Sequence, residues 1–288
     1  MRAYVPNYHL VTPNSLDEAL SLLASEPRKW KPFAGGTDLM VLLEAGKLSH
    51  LDYVNLLPLQ ELRQIEVDKS HVTLGALATY TDVQKHGVLV GEFPMLCQAA
   101  SETGGLAIQN RGTLGGNIMN ASPAADSPPA LLAYDAELEL SSTKGVRWVS
   151  YNGFHTGYKQ MGIRDDELLT RIRLPRSTES FFHYYRKVGT RKAQAISKVC
   201  FAGILRVSGQ QLEDVRIAVG SVAPIPLRCA GTEDVLRGQT INDELIRVAV
   251  KEFAAEITPI DDIRSTKSYR LRVAQNLLAD FLRLRRNK

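Results

Sequence analysis

Two glycine pairs restrict the folds open to this chain. One lies in Phe33-Ala34-Gly35-Gly36-Thr37-Asp38 and the other in Gly112-Thr113-Leu114-Gly115-Gly116-Asn117, far downstream. A glycine pair at a strand end permits positive φ and lets backbone N–H groups meet a ligand with no Cβ between them. Successive N–H groups in such a turn form a concave anion nest, and a following helix start adds partial positive charge. Either pair alone also fits a plain tight turn. Together they suit the two phosphates of one dinucleotide, clasped from two segments. Thr37 adds a hydroxyl donor to the first nest, and Asn117 adds a side-chain amide to the second. Asp126, closing Ala121-Ser122-Pro123-Ala124-Ala125-Asp126, is an acceptor suited to ribose or ribityl hydroxyls.

At 288 residues the chain exceeds the size at which one core keeps growing, so more than one lobe is expected. A formal net charge of +4 neither demands nucleic acid nor excludes an acidic ligand. The opening stretch MRAYVPNYHLVTPN lacks an apolar h-region, and no run reaches the ~18 apolar residues of a membrane helix. The three cysteines, Cys97, Cys200 and Cys229, are too scattered for a disulfide framework, a zinc site or an iron–sulfur cluster. They read as packing residues of a cytoplasmic protein, in which the sequon at Asn120 carries no glycan.

Ser15 to Ala24 reads as an amphipathic helix, capped by Asn14 or Ser15 with Asp17 and Glu18 in its first turn. Lys31 to Leu56 reads as strand, glycine turn, helix and strand, with Thr37 or Asp38 as cap and Gly46 as terminator. Strands are expected near 71–77 and 167–174 and in the pair AELEL and VRWVSY. Helices are expected from about Thr81, over 94–103, and from Ser127. The polar stretch 175–180 marks a boundary. Beyond it FHYYRKV, AISKVCFAGILRV and VRIAVGSVA predict a three-stranded antiparallel meander, followed by helices over 243–257 and 268–284.

No G-x-G-x-x-G follows a strand, and P-loop, G-x-S-x-G and H-E-x-x-H motifs are missing. The six histidines form no ligand spacing. Neither catalytic nor metal-ligating residues are therefore assigned, and any chemistry belongs to a bound cofactor.

PFAGGTDL, RGTLGGNIMNASPAAD, DELLTRIRLP, YYRKVGTRKAQAISKV, GSVAPIPLR and YRLRVAQNLL occur in this order along essentially the whole chain. The ensemble resembles the FAD-binding medium subunit of the molybdenum hydroxylases, the xanthine dehydrogenase and carbon monoxide dehydrogenase family. The resemblance implies an α+β protein: a PCMH-type FAD-binding domain of two α/β subdomains, 1–57 and 58–176, then an α+β lobe, 177–288. It implies FAD between the first two. Pro32, Phe33, Ala34, Gly35, Gly36, Thr37, Asp38 and Leu39 match the first flavin loop. Thr113, Leu114, Gly115, Gly116 and Asn117 match the second, and Ser122 and Asp126 belong to the ASPxxD stretch. Leu169 and Lys187 match further cofactor-lining positions. On the nest reading, Gly115→Val or Gly116→Val abolishes FAD retention and leaves the circular dichroism intact.

The resemblance also implies partners: a small subunit with two [2Fe–2S] clusters and a large molybdopterin subunit, assembled as a dimer of heterotrimers. Electrons then pass through the clusters to FAD and on to NAD or another acceptor. Where animal-type xanthine dehydrogenases carry acidic residues, this chain has Ala193-Gln194-Ala195, which leaves the acceptor open. Two other readings stand beside it: a self-sufficient flavin oxidoreductase with its own substrate, and a non-catalytic dinucleotide-binding assembly subunit. The basic end, Arg283, Arg285, Arg286 and Lys288, reads as a solvated helix terminus. Strand alternation points one of Tyr184 and Tyr185 inward and the other out, and Trp30 and Trp148 read as packing residues.

Overall fold

The computed structural model describes residues 7–191 and 194–286. Lys288 and Ala193, both named above, lie outside the described residues. The first lobe runs β1 (His9–Val11), α1 (Leu16–Ser25), β2 (Lys31–Phe33), α2 (Leu39–Glu44) and β3 (Asp52–Asn55). Its three strands are parallel in the order β1-β3-β2. Helix α1 starts where expected because the Ser15 hydroxyl accepts from the Glu18 amide at 3.2 Å. It buries Ala19, Leu20 and Leu23 against Trp30, Val54 and Leu56. Each buried leucine contributes about 1.5–3 kcal/mol. Leu59, Leu62, Leu77 and Leu168 join the same core from beyond residue 57.

The middle lobe comprises β4 (Ile65–Val67), β5 (His71–Gly75), α3 (Tyr80–Lys85), α4 (Gly87–Glu92), α5 (Pro94–Glu102), α6 (Leu106–Gln109), α7 (Leu114–Met119) and α8 (Ser127–Ala133). It continues through β6 (Glu137–Ser142), β7 (Gly145–Ser150), the ribbon β8 (His155–Gly157) and β9 (Gln160–Met161), and β10 (Leu168–Pro175). Its sheet, ordered β4-β5-β10-β6-β7, is antiparallel throughout, and the expected pairing of AELEL with VRWVSY is that of β6 with β7. Alternation divides the two faces. Val72, Leu74, Leu138, Leu140, Ile172 and Leu174 enter the core. Between them Arg173 pairs with Glu137 at 2.6 Å and lies 4.0 Å over the Trp148 ring.

The C-terminal lobe contains β11 (Phe182–Val188), β12 (Val199–Ser208), β13 (Gln211–Gly220), β14 (Leu227–Arg228), α9 (Ala230–Leu236), α10 (Asp243–Glu256) and α11 (Lys267–Arg286). The expected three-stranded meander is present, and the short β14 extends it to four. Two residues are too few to carry a strand pattern, so β14 left no sequence signal. Both faces of this sheet are buried. Tyr185, Cys200, Ala202, Ile204 and Ala218 pack into the middle core. Tyr184, Phe201, Val219 and Ile217 pack with the helices. The tyrosine pair therefore does alternate, but both residues are buried: Tyr184 is 8% exposed and Tyr185 3%. Among the described residues no helix is long and apolar enough to cross a membrane.

Phe281 on α11 lies against Phe182, Tyr184 and Phe201, with ring centroids 5.7–5.9 Å away. Gly203 opposite leaves it room, since a Cβ there would come within 3.0 Å of the Phe281 ring. Phe281→Ala is expected to destabilise the protein by about 3–5 kcal/mol, measured by urea unfolding.

Candidate functional site

The first glycine loop leaves the end of β2 and meets the middle lobe backbone to backbone. A Cβ built on Gly35 would lie 2.0 Å from the Arg111 carbonyl oxygen and 3.2 Å from the Gly112 Cα. No side chain fits there. Gly36 follows at φ +73°, with the Phe33 ring 2.8 Å from where its Cβ would stand. The amides of Gly35, Gly36, Thr37, Asp38 and Leu39 make no hydrogen bond to any described residue, nor does the Thr37 hydroxyl. That is a run of unpaired donors on a mostly half-buried turn, with Gly36 itself buried and Asp38 exposed. Helix α2 has no side-chain cap, so neither Thr37 nor Asp38 serves the role expected of it. With six residues it adds little dipole, and the donor capacity resides in the loop itself.

The second glycine pair differs. Thr113 is the N-cap of α7, and Leu114, Gly115, Gly116 and Asn117 form the first turn of that helix. Their amides are taken: Leu114 by Ala78 O at 3.0 Å, Gly115 by Ala76 O at 2.9 Å, Gly116 by the Thr113 hydroxyl at 3.1 Å and Asn117 by Thr113 O at 3.0 Å. The expectation of a second amide nest is therefore corrected. The glycines satisfy packing instead. A Cβ on Gly115 would meet Ala76 O at 2.6 Å, so Gly115→Val disturbs the seat of α7 as well as any ligand. Gly116 is exposed, and its Cβ would meet only the Thr113 hydroxyl, at 2.9 Å. The second loop keeps one free donor group, the Asn117 side-chain NH2, since Asn117 Oδ1 accepts from the Ser127 hydroxyl and no described residue pairs the nitrogen.

The other expected positions extend the site. Asp126 Oδ2 accepts from Lys187 Nζ at 2.7 Å, and that ammonium also donates to Glu102 O at 2.7 Å. The pair is buried, the side chains 10% and 4% exposed. Asp126 Oδ1 is buried with no partner. Burial pushes the Asp126 carboxyl up to about 6; Lys187 and Ser197 oppose that rise, and Glu102 adds to it. The Ser122 hydroxyl accepts from the Ala124 amide and shapes the turn into Asp126. Leu169 is 2% exposed within the middle core, one residue before Thr170, whose carbonyl binds the Ala76 amide behind Gly115. Pro32 and Phe33 belong to β2, and Ala34 packs on the first core.

Sequence reasoning missed Lys159. It sits at φ +58° between β8 and β9, and its ammonium holds the Asn120 carbonyl and side chain, the latter at 2.7 Å. Burial lowers its pKa, and Asp38 of the first loop opposes this, so the ribbon brings a cation into the field of that loop. His155 Nε2 lies 3.0 Å from Ile118 O, anchoring the same ribbon to α7. A lysine after Gly-Tyr carried no motif by which to find it. Gln194, at φ +52°, lies over Gly105, where a Cβ would stand 2.8 Å from its Nε2. Two concavities of about 250 and 280 Å3 lie elsewhere, lined by Glu61, Glu139 and Arg171 and by Gln98, His183 and Arg186, and contain none of these residues. Among the described residues no cluster of His, Cys, Asp or Glu could hold a metal ion. Cys97, Cys200 and Cys229 are free thiols, raised by burial.

Unpaired amides beside a glycine that admits no Cβ suit a diphosphate, and an orphaned carboxylate oxygen at Asp126 suits a hydroxyl. Residues 6–177 match the FAD binding domain in molybdopterin dehydrogenase, and residues 183–284 match the CO dehydrogenase flavoprotein C-terminal domain. The chain is 32% identical over 273 residues to the xanthine dehydrogenase FAD-binding subunit of Escherichia coli O157:H7, covering 94% of this chain and 92% of that one. It is 31% identical over 275 residues to the glyceraldehyde dehydrogenase medium chain of Sulfolobus acidocaldarius, covering 95% and 96%. Its fold matches a chain of the carbon monoxide dehydrogenase from Hydrogenophaga pseudoflava with a TM-score of 0.92 at 26% identity, over 96% of each chain. The chain thus belongs to the FAD-binding subunits of the molybdenum hydroxylases, the xanthine and carbon monoxide dehydrogenase family. It is an oxidoreductase subunit whose cofactor is FAD.

Gly35→Ala is expected to raise the FAD dissociation constant about a hundredfold, roughly 2.7 kcal/mol, in a flavin fluorescence titration. Gly116→Ala, whose added Cβ meets only the tip of the Thr113 side chain, is expected to change it by less than about fivefold, within the usual range of a surface substitution.

Proposed function

We propose that this chain holds FAD across its first and middle lobes and relays electrons within a larger assembly. The observation that carries the reading is the unpaired amide run of Gly35 to Leu39 against the Arg111–Gly112 backbone. Those amides hold the diphosphate. Asn117 donates to it or to the adjoining hydroxyls, and Asp126, fixed by Lys187, accepts from a hydroxyl. Bound FAD supplies reversible electron acceptance. The chain's own groups bind and orient it.

In this reading electrons enter from [2Fe–2S] clusters of a small partner subunit, after substrate has been oxidised on a large molybdopterin subunit, and leave to NAD or another carrier. The names of the relatives support that division of labour. They include a xanthine dehydrogenase, a glyceraldehyde dehydrogenase and a carbon monoxide dehydrogenase, unlike substrates sharing one kind of medium chain. Substrate choice therefore belongs to a different chain. The assembly is a dimer of such heterotrimers.

The test follows flavin absorbance in the full-length chain loaded with FAD. Rapid bleaching on adding the reduced iron–sulfur partner, and none with xanthine, aldehydes or N-heteroaromatics alone, is the expected result. Bleaching by an organic substrate without a partner overturns the reading in favour of a self-sufficient flavoenzyme.

A further inference from the structure

The Ala121–Asp126 segment belongs to the middle lobe by sequence, yet the C-terminal lobe fixes it. Pro123 O accepts from the Ser221 amide at 2.7 Å, and Ala124 O accepts from the Ser197 hydroxyl at 3.1 Å. Asp126 O accepts from the Tyr185 hydroxyl at 3.0 Å. Ser197 is fully buried, and its hydroxyl lies 2.8 Å from that of Ser221, which also donates to Ser197 O at 3.0 Å. Ser221 stands at φ +66°, a conformation costing a non-glycine residue about 1–3 kcal/mol, and strain of that kind persists only where its surroundings enforce it. Arg270 of α11 enforces it. The guanidinium, 3% exposed, donates to Ser221 O at 2.8 Å and Lys198 O at 3.2 Å, and is itself held by Asp262 at 2.6 Å.

We propose that Ser197, locked by Ser221 and Arg270, is a positioning residue for FAD: it fixes the Ala124 carbonyl and thereby the seat of Asp126, so the C-terminal lobe sets how tightly the cofactor is held. The proposal rests on the reading that Asp126 contacts FAD. A second link runs through charge. Ser197 favours the ionised form of Asp126, as does Lys187, while Glu102 disfavours it. The other groups around that carboxylate, Tyr80, Tyr185 and Cys200, are all pushed up by burial and stay neutral near pH 7. FAD affinity that depends on an ionised Asp126 therefore falls as the pH drops through about 6, and loss of the Ser197 hydroxyl moves that fall to higher pH.

The experiment is a flavin fluorescence titration of the full-length chain from pH 5 to 8, with the thermal midpoint of each apo variant as control. Ser197→Ala and Arg270→Lys are expected to weaken FAD about five- to tenfold at pH 7.5, the scale of one buried hydrogen bond, and Ser197→Ala to shift the pH midpoint upward. Ser197→Thr, which keeps the hydroxyl, should restore both. A merely structural serine would lower the thermal midpoint and leave the pH midpoint in place. If Asp126→Asn weakens FAD but Ser197→Ala and Arg270→Lys retain wild-type affinity and pH profile, the positioning role is overturned. If Asp126→Asn also binds FAD normally, the assignment of Asp126 itself fails.

Discussion

The contact of Gly35 with the Arg111 carbonyl is the constraint on which the site depends. It brings a loop from a parallel sheet against a segment that leads directly into α7, so the first lobe and the middle lobe meet backbone to backbone at the glycine turn. Only glycine permits the approach, because a Cβ 2.0 Å from a backbone oxygen has nowhere to move. The free amides of residues 35–39 are its complement. An anion can pair with them without breaking any internal hydrogen bond.

The buried pair of Asp126 and Lys187 plays a different part. Desolvating two charges consumes much of their attraction, so the pair adds little net stability, whereas removing one partner costs about 3–5 kcal/mol. Its value is registration: the ammonium from β11 joins a carboxylate at the start of α8 and the Glu102 carbonyl at the end of α5. The apolar contacts around it supply most of the stabilisation, from a sheet with core on both faces. Polar bonds there select one arrangement among the packings that oil alone would tolerate.

Much of this was legible in the sequence. Ser15 and Pro94 mark helix starts that periodicity then extends, and each is realised, as is the helix expected over 243–257. Gly35 and Gly36 read correctly as a turn with open donors. Gly115 and Gly116 did not, because two glycines and an asparagine argue against a helix on local propensity, and what seats α7 beyond its local Thr113 cap is tertiary: the carbonyls of Ala76 and Ala78. A sequence shows that a glycine needs space but not whether its amide is already spoken for. The same limit hid Lys159, Ser197, Ser221 and Arg270, whose roles come from partners far away along the chain. Tyr184 deceived for another reason. Alternation separates two faces, and only the fold reveals that α11 covers the second.

Helix α8 has a consequence for the assembly. All seven of its residues, Ser127 to Ala133, are buried between the middle sheet's helices and the C-terminal strands. A segment with no solvent face cannot act as a hinge, and the two lobes share one continuous interior. Whatever meets these two lobes therefore meets one block, whose surface is set by its packing and not by the opening and closing of one lobe against the other.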